Sequence, residues 1–480
     1  MKMKKRSIWI VALLFVFLLT GSCTFIVYNE WMGKEKTSGE EVETFAKYAD
    51  EAIFKQIPLL ETEDAQVGEA YQFGENSHTI HVSGTTKEDY QNYLQKLEEN
   101  GFQKFADNGE EGMEGYVYNT SYTKDELTLS VYYIRRFDTT YITVGNKGTF
   151  SERLIYKDSY ADGALAGVKT SVHLFELSDH GNCFIIQLKN GHFIVEDGGN
   201  EQDAPYLIDY LESLTPGDEK PVVEAWFMTH AHGDHCGALK KIISDPTLTP
   251  RIYVEGFYFV DPSRQVQEMV FEDVTLSSAI WFVMNASKSF KQEDGSPCQF
   301  YRPTLGERYY FGDISIDIVL TMDQIMDDAY YEADFNDTST WLMHNIEGQK
   351  FLHAGDAAET TTQMAMDFYE EDYFDLDVFA VLHHGINVYD YFTDYCTLKT
   401  ILYTTRNLGS LYTATFAERP EENAYLKKSA KEVLSHGNGT VVLTFPYEIG
   451  TSQTKEPCDW RYDDGVRNGK IWDVIGGRKE

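Results

Sequence analysis

Apolar and polar positions alternate along this chain in a pattern that predicts short β-strands separated by amphipathic helices. Residues 222–228 are largely apolar, which is typical of a strand near the centre of a sheet. A histidine-rich turn follows, and helical spacing begins at Gly237. Further β-rich segments are predicted at 171–177, 182–188, 192–195, 251–255, 308–321, 340–346, 350–354 and 377–382, and helices at 206–214, 273–289 and 360–369. This alternation indicates an α/β domain over residues 154–450.

A separate, smaller α+β domain is predicted for residues 37–150. Its helices are predicted at 40–57 and 86–100, and its strands at 78–83, 127–134 and 140–144. Gly101 directly follows the second helix and is a typical C-terminal stop. Because no cluster of catalytic residue types occurs in this segment, we interpret it as an accessory domain.

The N-terminal segment, residues 1–29, predicts a membrane anchor. Lys2, Lys4, Lys5 and Arg6 precede an uncharged, largely apolar stretch over residues 8–28, which is long enough to cross a bilayer as a helix. Two alternatives stay open: a cleaved secretory signal whose apolar region ends near Leu19, and a lipoprotein signal with a lipid on Cys23. All three export the rest of the chain, so we expect it at the cell membrane with the large domain outside the cytoplasm.

The net charge of the chain limits the classes of substrate and partner that it is expected to bind. Among 480 residues, 41 Lys and Arg stand against 77 Asp and Glu, which gives a formal net charge of −36. Such a surface repels polyanions, so long nucleic acid is disfavoured as a substrate. The 6 cysteines are widely spaced, which excludes a disulfide scaffold. No protein partner is inferable, and residues 451–480 are expected to be a C-terminal tail.

The candidate chemistry centres on the turn Thr-His-Ala-His-Gly-Asp-His-Cys-Gly at residues 229–237. His230, His232, Asp234 and His235 lie within six positions of one another, between the predicted strand and the next helix. Imidazole and carboxylate are ligands for zinc and similar divalent ions. The His-x-His and Asp-His pairs could therefore begin two adjacent metal sites.

Three further motifs follow the ends of predicted strands: Glu196-Asp-Gly-Gly, His353-Ala-Gly-Asp and His383-His-Gly. In this order, together with the histidine turn, they resemble the metallo-β-lactamase-fold hydrolases. Asn336-Asp-Thr-Ser-Thr-Trp-Leu and Val381-Leu-His-His-Gly most resemble the extracytoplasmic hydrolase domain of the DNA-uptake protein ComEC, and phosphorylcholine esterases are similar. The resemblance covers about residues 171–445. It implies an αββα sandwich, with two sheets between outer helices and a dinuclear site along one sheet edge.

The resemblance also implies roles for individual residues. His230 and His232 would hold the first metal ion, Asp234, His235 and His384 the second, and Asp356 would bridge the two. The expected catalytic residues are Asp234, which is also a ligand, and His383, which would face the substrate as a phosphate ligand or general acid. Asp197 would orient the histidine turn. The expected cofactors are two divalent ions, zinc first and manganese second.

One departure from the family pattern concerns the first metal ion. Many members carry a further histidine between the histidine turn and the Gly-Asp motif, whereas this chain has none between His235 and His344. Asn336 and Asp337 occupy the matching place, and the sequence leaves open which of them replaces the histidine. The remaining histidines of the large domain match no ligand position: His173, His180, His192, His344, His353 and His436.

The expected function is that of an exported, membrane-tethered dinuclear-metal hydrolase. A phosphodiesterase that uses a metal-bridging hydroxide is the first choice, because of the ComEC-like motifs. The expected substrate is a small-molecule or cell-surface phosphodiester. Two alternatives remain: a lactone or ester hydrolase of the same fold, and a metal-containing surface binding module without turnover.

Overall fold

The computed structural model describes residues 53–456, apart from 63–64, 69, 74–76, 109–111, 147–148, 156–163, 218, 264–265, 268–272, 326–334 and 406–418. The predicted anchor at residues 1–29 lies outside the described residues, as does the tail beyond residue 456. The start of that predicted tail is instead a short strand, Gln453–Thr454, which pairs with the strand Val441–Thr444. Among the helices within the described ranges, none is long and apolar enough to cross a bilayer.

The first sheet is formed by the N-terminal part of the described chain. Its strands are β1 Gln66–Val67, β2 Tyr71–Phe73, β3 Ser77–Ser83, β4 Gln103–Asp107, β5 Val117–Lys124, β6 Leu127–Ile134 and β7 Thr139–Asn146. They pair in the order β1-β3-β7-β6-β5-β4, with β2 beside β3. The predicted pairing of residues 127–134 with 140–144 is confirmed, since β6 and β7 are antiparallel with Leu129 opposite Val144.

One helix, α1 at Lys87–Glu99, packs on this sheet. Thr86 and Asp89 form a reciprocal capping box at its start, which satisfies backbone N–H groups that the first turn leaves free. Gly101 follows its end with a φ of 84°, a conformation that glycine adopts without strain. The other predicted helix, 40–57, lies mostly outside the described residues, and its described end contains a 3₁₀ turn at Phe54–Gln56.

Two larger sheets form the remainder of the fold. The second contains β8 Ser171–Leu174, β9 Cys183–Gln187, β10 Phe193–Asp197, β11 Val222–Met228, β12 Tyr253–Phe259, β13 Gln299–Tyr301, β21 Val441–Thr444 and β22 Gln453–Thr454. The third contains β14 Arg308–Phe311, β15 Ile314–Leu320, β16 Trp341–Ile346, β17 Gln349–His353, β18 Asp375–Ala380, β19 Thr397–Tyr403 and β20 Glu432–Ser435. The second is ordered β13-β12-β11-β10-β9-β8-β21-β22, and the third runs from β14 to β20 in sequence order. The prediction of a mixed α/β fold is confirmed.

The two larger sheets share one apolar layer, and helices cover their other faces. Ile194 of β10 and Ile316 of β15 belong to the shared layer. Val195, the next residue of β10, belongs to a cluster on the other face, because successive strand residues point to opposite sides. The helices of that cluster are α2 Ala204–Leu214, α3 Gly233–Ser244 and α4 Val274–Asn285. Those that pack with the third sheet are α5 Glu359–Phe368, α6 Asp390–Tyr395 and α7 Pro420–Ser429.

The first sheet is joined to the third through a continuous core. Tyr116 and Tyr132 of the N-terminal part share an apolar cluster with Trp341 and Tyr369. Buried Asn119 adds polar contacts, because its side-chain amide donates to Thr304 Oγ1 at 3.1 Å and to the Leu305 carbonyl at 2.7 Å. The predicted accessory domain is therefore packed against the large domain through both apolar and polar contacts.

Replacing Asn119 should test how far these contacts stabilise the fold. Asn119→Ala leaves the buried Leu305 carbonyl without the Asn119 donor, so we expect a loss of about 1–3 kcal/mol in the free energy of unfolding. Urea titration followed by circular dichroism measures this loss. Gln95→Ala, which removes an exposed bond to Glu99, is the control and should change stability by less than about 0.5 kcal/mol. Equal effects of the two variants would show that the Asn119 contacts add no stability.

Candidate metal centre

The candidate site lies where parallel strands of both large sheets end. β10, β11 and β12 are parallel neighbours in the second sheet, and β17, β18 and β19 are parallel neighbours in the third. Their carboxyl ends carry the motifs found in the sequence. Thr340 N donates to Thr229 O at 3.0 Å, which ties the two sheets together at this edge. The fold thus brings together segments more than 100 residues apart.

One group of side chains matches the second predicted metal site. One ligand atom from each of Asp234, His235, Asp356 and His384 lies within 4.8 Å of the others. His235 Nε2 lies 3.0 Å from Asp356 Oδ1, and His384 Nε2 lies 3.1 Å from Asp234 Oδ2 and 3.3 Å from Asp356 Oδ2. All four residues are at least partly buried. Two imidazoles and two carboxylates at these separations fit one divalent ion.

A second group matches the first predicted site. His230, His232 and Asp356 also place ligand atoms within 4.8 Å of one another. His230 Nε2 lies 2.9 Å from His232 Nδ1 and 3.9 Å from Asp356 Oδ2. Asp356 is common to both groups, which is the position of the bridging carboxylate that the resemblance implies. All six predicted ligands therefore meet at one place.

Two oxygen acceptors hold the ligand rings in orientation. Asp197 lies 2.7 Å from His235 Nδ1 and accepts from Thr229 N at 2.8 Å, so it contacts both the ring and the start of the histidine turn. Thr404 Oγ1 lies 2.8 Å from His384 Nδ1. Such partners fix the ring so that Nε2 faces the metal side. The orienting contact expected of Asp197 is present.

His383 and His384 both have a left-handed backbone but differ in burial. Their φ values are 47° and 56°, a conformation that costs non-glycine residues about 1–3 kcal/mol each. The His384 ring is fully buried among the ligands, whereas the His383 side chain is 21% exposed with Nε2 3.5 Å from Asp356 Oδ2. His384 therefore lies at a ligand position and His383 at the solvent side of the centre.

Buried carboxylates and imidazoles shift one another's pKa values. Burial by itself lowers the pKa of His384, but the charges of Asp356 and Asp234 outweigh it and raise this pKa to about 9. Burial also lowers the pKa of His235, yet Asp356 and Asp197 bring it well above its usual value. Burial raises the pKa of Asp356, but the neighbouring histidines hold it well below its usual range. Burial lowers the pKa of His230 and of His383, so without a metal ion the ionised Asp356 carboxylate lies beside two protonated rings, those of His235 and His384.

The place of the missing histidine is a 3₁₀ turn, Phe335–Thr338. Asp337 Oδ1 accepts from Ala358 N at 3.2 Å and from Thr361 N at 3.0 Å and so caps α5, and Asp337 belongs to neither ligand group. Ser339 directly follows this turn, and its Oγ lies 3.4 Å from His230 Nδ1. Asn336 is buried, and its role as a replacement ligand stays a prediction.

Two groups of histidines gain partners that the sequence did not reveal. His344 and His353 both contact buried Glu196, with His353 Nδ1 2.8 Å from Glu196 Oε2, and form a polar layer beneath the site. His180 Nε2 lies 3.6 Å from Asp234 Oδ2 at the edge of the centre. His344 lies within β16, and His180 lies in the loop before β9, so their spacing along the chain does not connect them with the ligands. His353 ends β17 three residues before Asp356, and its place in that motif was the one signal in the sequence.

A family model matches the part of the chain that contains this centre. Residues 178–388 match the sequence model of the Metallo-beta-lactamase superfamily. No curated protein matches the chain. Among solved structures, Zn(2+)-bound PqqB from Methylobacterium extorquens is similar, with 11% identity, 56% of this chain and 99% of that chain covered, and a TM-score of 0.33.

Two further solved structures are similar over about half of the chain. A Cronobacter sakazakii metallo-beta-lactamase described by a HARLDQ motif has 12% identity, covers 48% of this chain and 80% of its own, and gives a TM-score of 0.24. The flavodiiron protein from Giardia intestinalis has 11% identity, with 54% of this chain and 63% of that chain covered, and a TM-score of 0.23. The family match includes every predicted ligand, so the candidate centre lies within a metallo-beta-lactamase superfamily domain.

Metal uptake by the metal-free protein should release protons near neutral pH. With a pKa of about 9, His384 is protonated at pH 7.5, and it must lose that proton to bind an ion. We expect apparent zinc affinity to rise with pH up to about 9, and His384→Ala to release about one proton fewer. Calorimetry in buffers of different ionisation enthalpy counts the protons. A heat of binding that is independent of the buffer would contradict this charge distribution.

Proposed function

We propose that the metallo-beta-lactamase superfamily domain at residues 178–388 is a dinuclear-metal hydrolase that cleaves phosphodiester bonds. The observation that carries the proposal is the position of Asp356, whose carboxylate belongs to both ligand groups. A carboxylate has two basic oxygens and can serve two ions at once, which an imidazole cannot. Two ions held by one bridge are typical of sites that cleave phosphate esters.

The residues of the centre fit divalent ions, zinc first. The second group offers two imidazole nitrogens and two carboxylate oxygens, a donor set that zinc accepts. The first group offers two imidazoles and the shared Asp356, and Ser339 Oγ lies 3.4 Å from His230 Nδ1, the ring nitrogen that does not face Asp356. Manganese is the second choice, because it tolerates a larger share of oxygen ligands.

When bound, two divalent ions supply activated water and polarise the scissile bond. The protein supplies orientation and proton transfer. Asp197 and Thr404 keep the ligand rings aligned, and burial of Asp356 keeps bulk water away from the bridge. His383 is partly exposed and directs Nε2 toward Asp356, so it can contact the substrate and give a proton to the leaving group.

The proposed substrate is a small-molecule or cell-surface phosphodiester. Support for a phosphodiester comes from the ComEC-like residues Asn336–Leu342 and Val381–Gly385. The formal net charge of −36 argues against long nucleic acid, because such a substrate needs cationic contacts.

We also propose export and membrane attachment through residues 1–29, on the basis of their basic start and apolar stretch. Protease accessibility of the large domain on intact cells tests this location.

A substrate panel tests the proposed function. Residues 30–480 should contain about two zinc or manganese ions by elemental analysis and should hydrolyse bis-(p-nitrophenyl) phosphate. Single-stranded DNA, phosphorylcholine esters and lactones complete the panel. Asp356→Ala is the control and should lose both ions and all turnover, because the bridge serves both sites. Turnover of lactones alone would replace the phosphodiester assignment, and bound metals without any turnover would favour a binding module.

Replacing His383 should separate proton donation from metal binding. We expect His383→Ala to retain its metal content and to lose about 10²–10⁴-fold in kcat with an alkyl phosphodiester. The loss should be much smaller with a p-nitrophenyl ester, since p-nitrophenolate leaves without protonation. Steady-state kinetics with both substrates measures the difference. An equal loss with the two leaving groups would assign His383 to phosphate binding instead.

A further inference from the structure

Asn182 is hydrogen-bonded to two of the predicted ligands. Its side-chain amide donates to Asp356 Oδ1 at 3.3 Å, and its backbone N–H donates to the carbonyl of Asp234 at 3.1 Å. Its own carbonyl accepts from Gly198 N at 3.1 Å. The residue directly precedes β9 and is 1% exposed. The main chain of Asn182 is therefore fixed on the second sheet, while its side chain reaches the carboxylate that follows β17 of the third.

The contact with Asp356 explains why an amide occupies this position. In the described part of the chain, Asn182 Oδ1 is buried without a hydrogen-bond partner, so the bond from Nδ2 to Asp356 is the one that the side chain makes. A buried, unpaired amide oxygen costs free energy, which an apolar side chain would avoid. An ionised carboxylate only accepts hydrogen bonds, so it determines which end of the amide faces it. The amide thus serves Asp356 and not the packing around it.

Metal binding would leave this hydrogen bond in place. Among the described residues, the other buried side chains with a nitrogen near the Asp356 carboxylate are histidines: His235 at 3.0 Å from Oδ1, and His384 and His230 at 3.3 and 3.9 Å from Oδ2. A ring that binds an ion through Nε2 has no proton on that nitrogen to donate. Asn182 keeps its N–H groups in both states. It is therefore the buried donor that can hold this carboxylate when the rings bind metal.

The orientation of the carboxylate decides which ligand groups it can reach. Oδ1 lies beside His235 of the second group, whereas His230 of the first group faces Oδ2. The terminal torsion of an aspartate is soft, so the carboxylate turns readily unless a hydrogen bond holds it. Among the described histidines and acidic residues, the first group has only three members and includes Asp356. The first group therefore depends most on the direction of Oδ2.

We propose that Asn182 is a positioning residue for the bridging carboxylate. Its hydrogen bond to Asp356 Oδ1 keeps Oδ2 directed at the first ligand group, so that Asp356 serves both ions and does not turn toward the second one alone. This inference rests on the proposed dinuclear function. Partners of this kind, which hold a ligand without binding the ion, affect metal affinity through the ligand.

Zinc titration of the full chain with a competing chelator tests the proposal without any assay of turnover. We expect Asn182→Ala to weaken the first site about 10-fold or more and the second by less than about 3-fold. His232→Ala removes a ligand of the first group alone and so identifies which measured affinity belongs to that site. In the manganese-loaded protein, the exchange-coupled electron paramagnetic resonance signal of paired ions should decrease in Asn182→Ala.

Asn119 provides a matched control. It is 2% exposed and also donates through a buried amide, but to Thr304 and Leu305, which are not ligands. Asn119→Ala should lower the midpoint of thermal unfolding and leave both zinc affinities unchanged. Asn182→Ser has a side chain too short to reach Asp356 and leaves a smaller cavity, so it repeats the test if Asn182→Ala does not fold.

The possible outcomes separate the positioning role from the proposed function. Two tightly bound ions in wild type, with unchanged affinities in the Asn182 variants, would overturn the positioning role and leave the centre intact. An equal loss of affinity at both sites would also overturn it, since that result indicates a general loosening of the centre. A wild-type protein that binds no zinc would instead overturn the proposed function.

Discussion

The arrangement of the large domain depends on one buried carboxylate, that of Asp356. Its side chain is 1% exposed, and an isolated ionised carboxylate at such a position costs several kcal/mol in lost hydration. Positive groups must therefore surround it, either protonated rings or bound ions. His235 comes from the second sheet and His384 from the third, so compensation of this one charge requires both sheets to meet at the same edge.

Backbone geometry around Asp356 shows how closely the two sheets approach. Gly355 has a φ of 54°, and a Cβ there would lie 2.8 Å from Thr229 Oγ1 and 2.9 Å from Ser339 Oγ. Non-glycine residues Asp197, His383 and His384 also have positive φ values. Beneath them, Glu196 contacts His344 and His353 of the third sheet. Burial raises the pKa of Glu196, but the two histidine rings outweigh burial and lower this pKa to about 2. The positive-φ backbone at the ligand positions thus lies next to buried polar contacts between the two sheets.

The N-terminal sheet contributes to the large domain through packing, not through the centre. Its tyrosines Tyr116 and Tyr132 lie in the same apolar cluster as Trp341, whose strand begins two residues after Ser339. The sequence predicted a separate α+β domain here, interpreted as accessory because it contains no cluster of catalytic residue types. In the structure, this segment forms a sheet that packs against the third sheet through the same apolar cluster.

The sequence by itself determined the elements and the local ligands. Alternation identified β11, and the spacing of His230, His232, Asp234 and His235 identified a metal-binding turn, because these residues lie within one or two turns of the same segment. Asp356 and His384 could be added only through the order of motifs in a known fold. Tertiary structure alone decided that Asp337 caps α5 and that His180 lies against Asp234. Those contacts arise from strand pairing and loop packing between distant segments, and residue spacing along a chain carries no record of them.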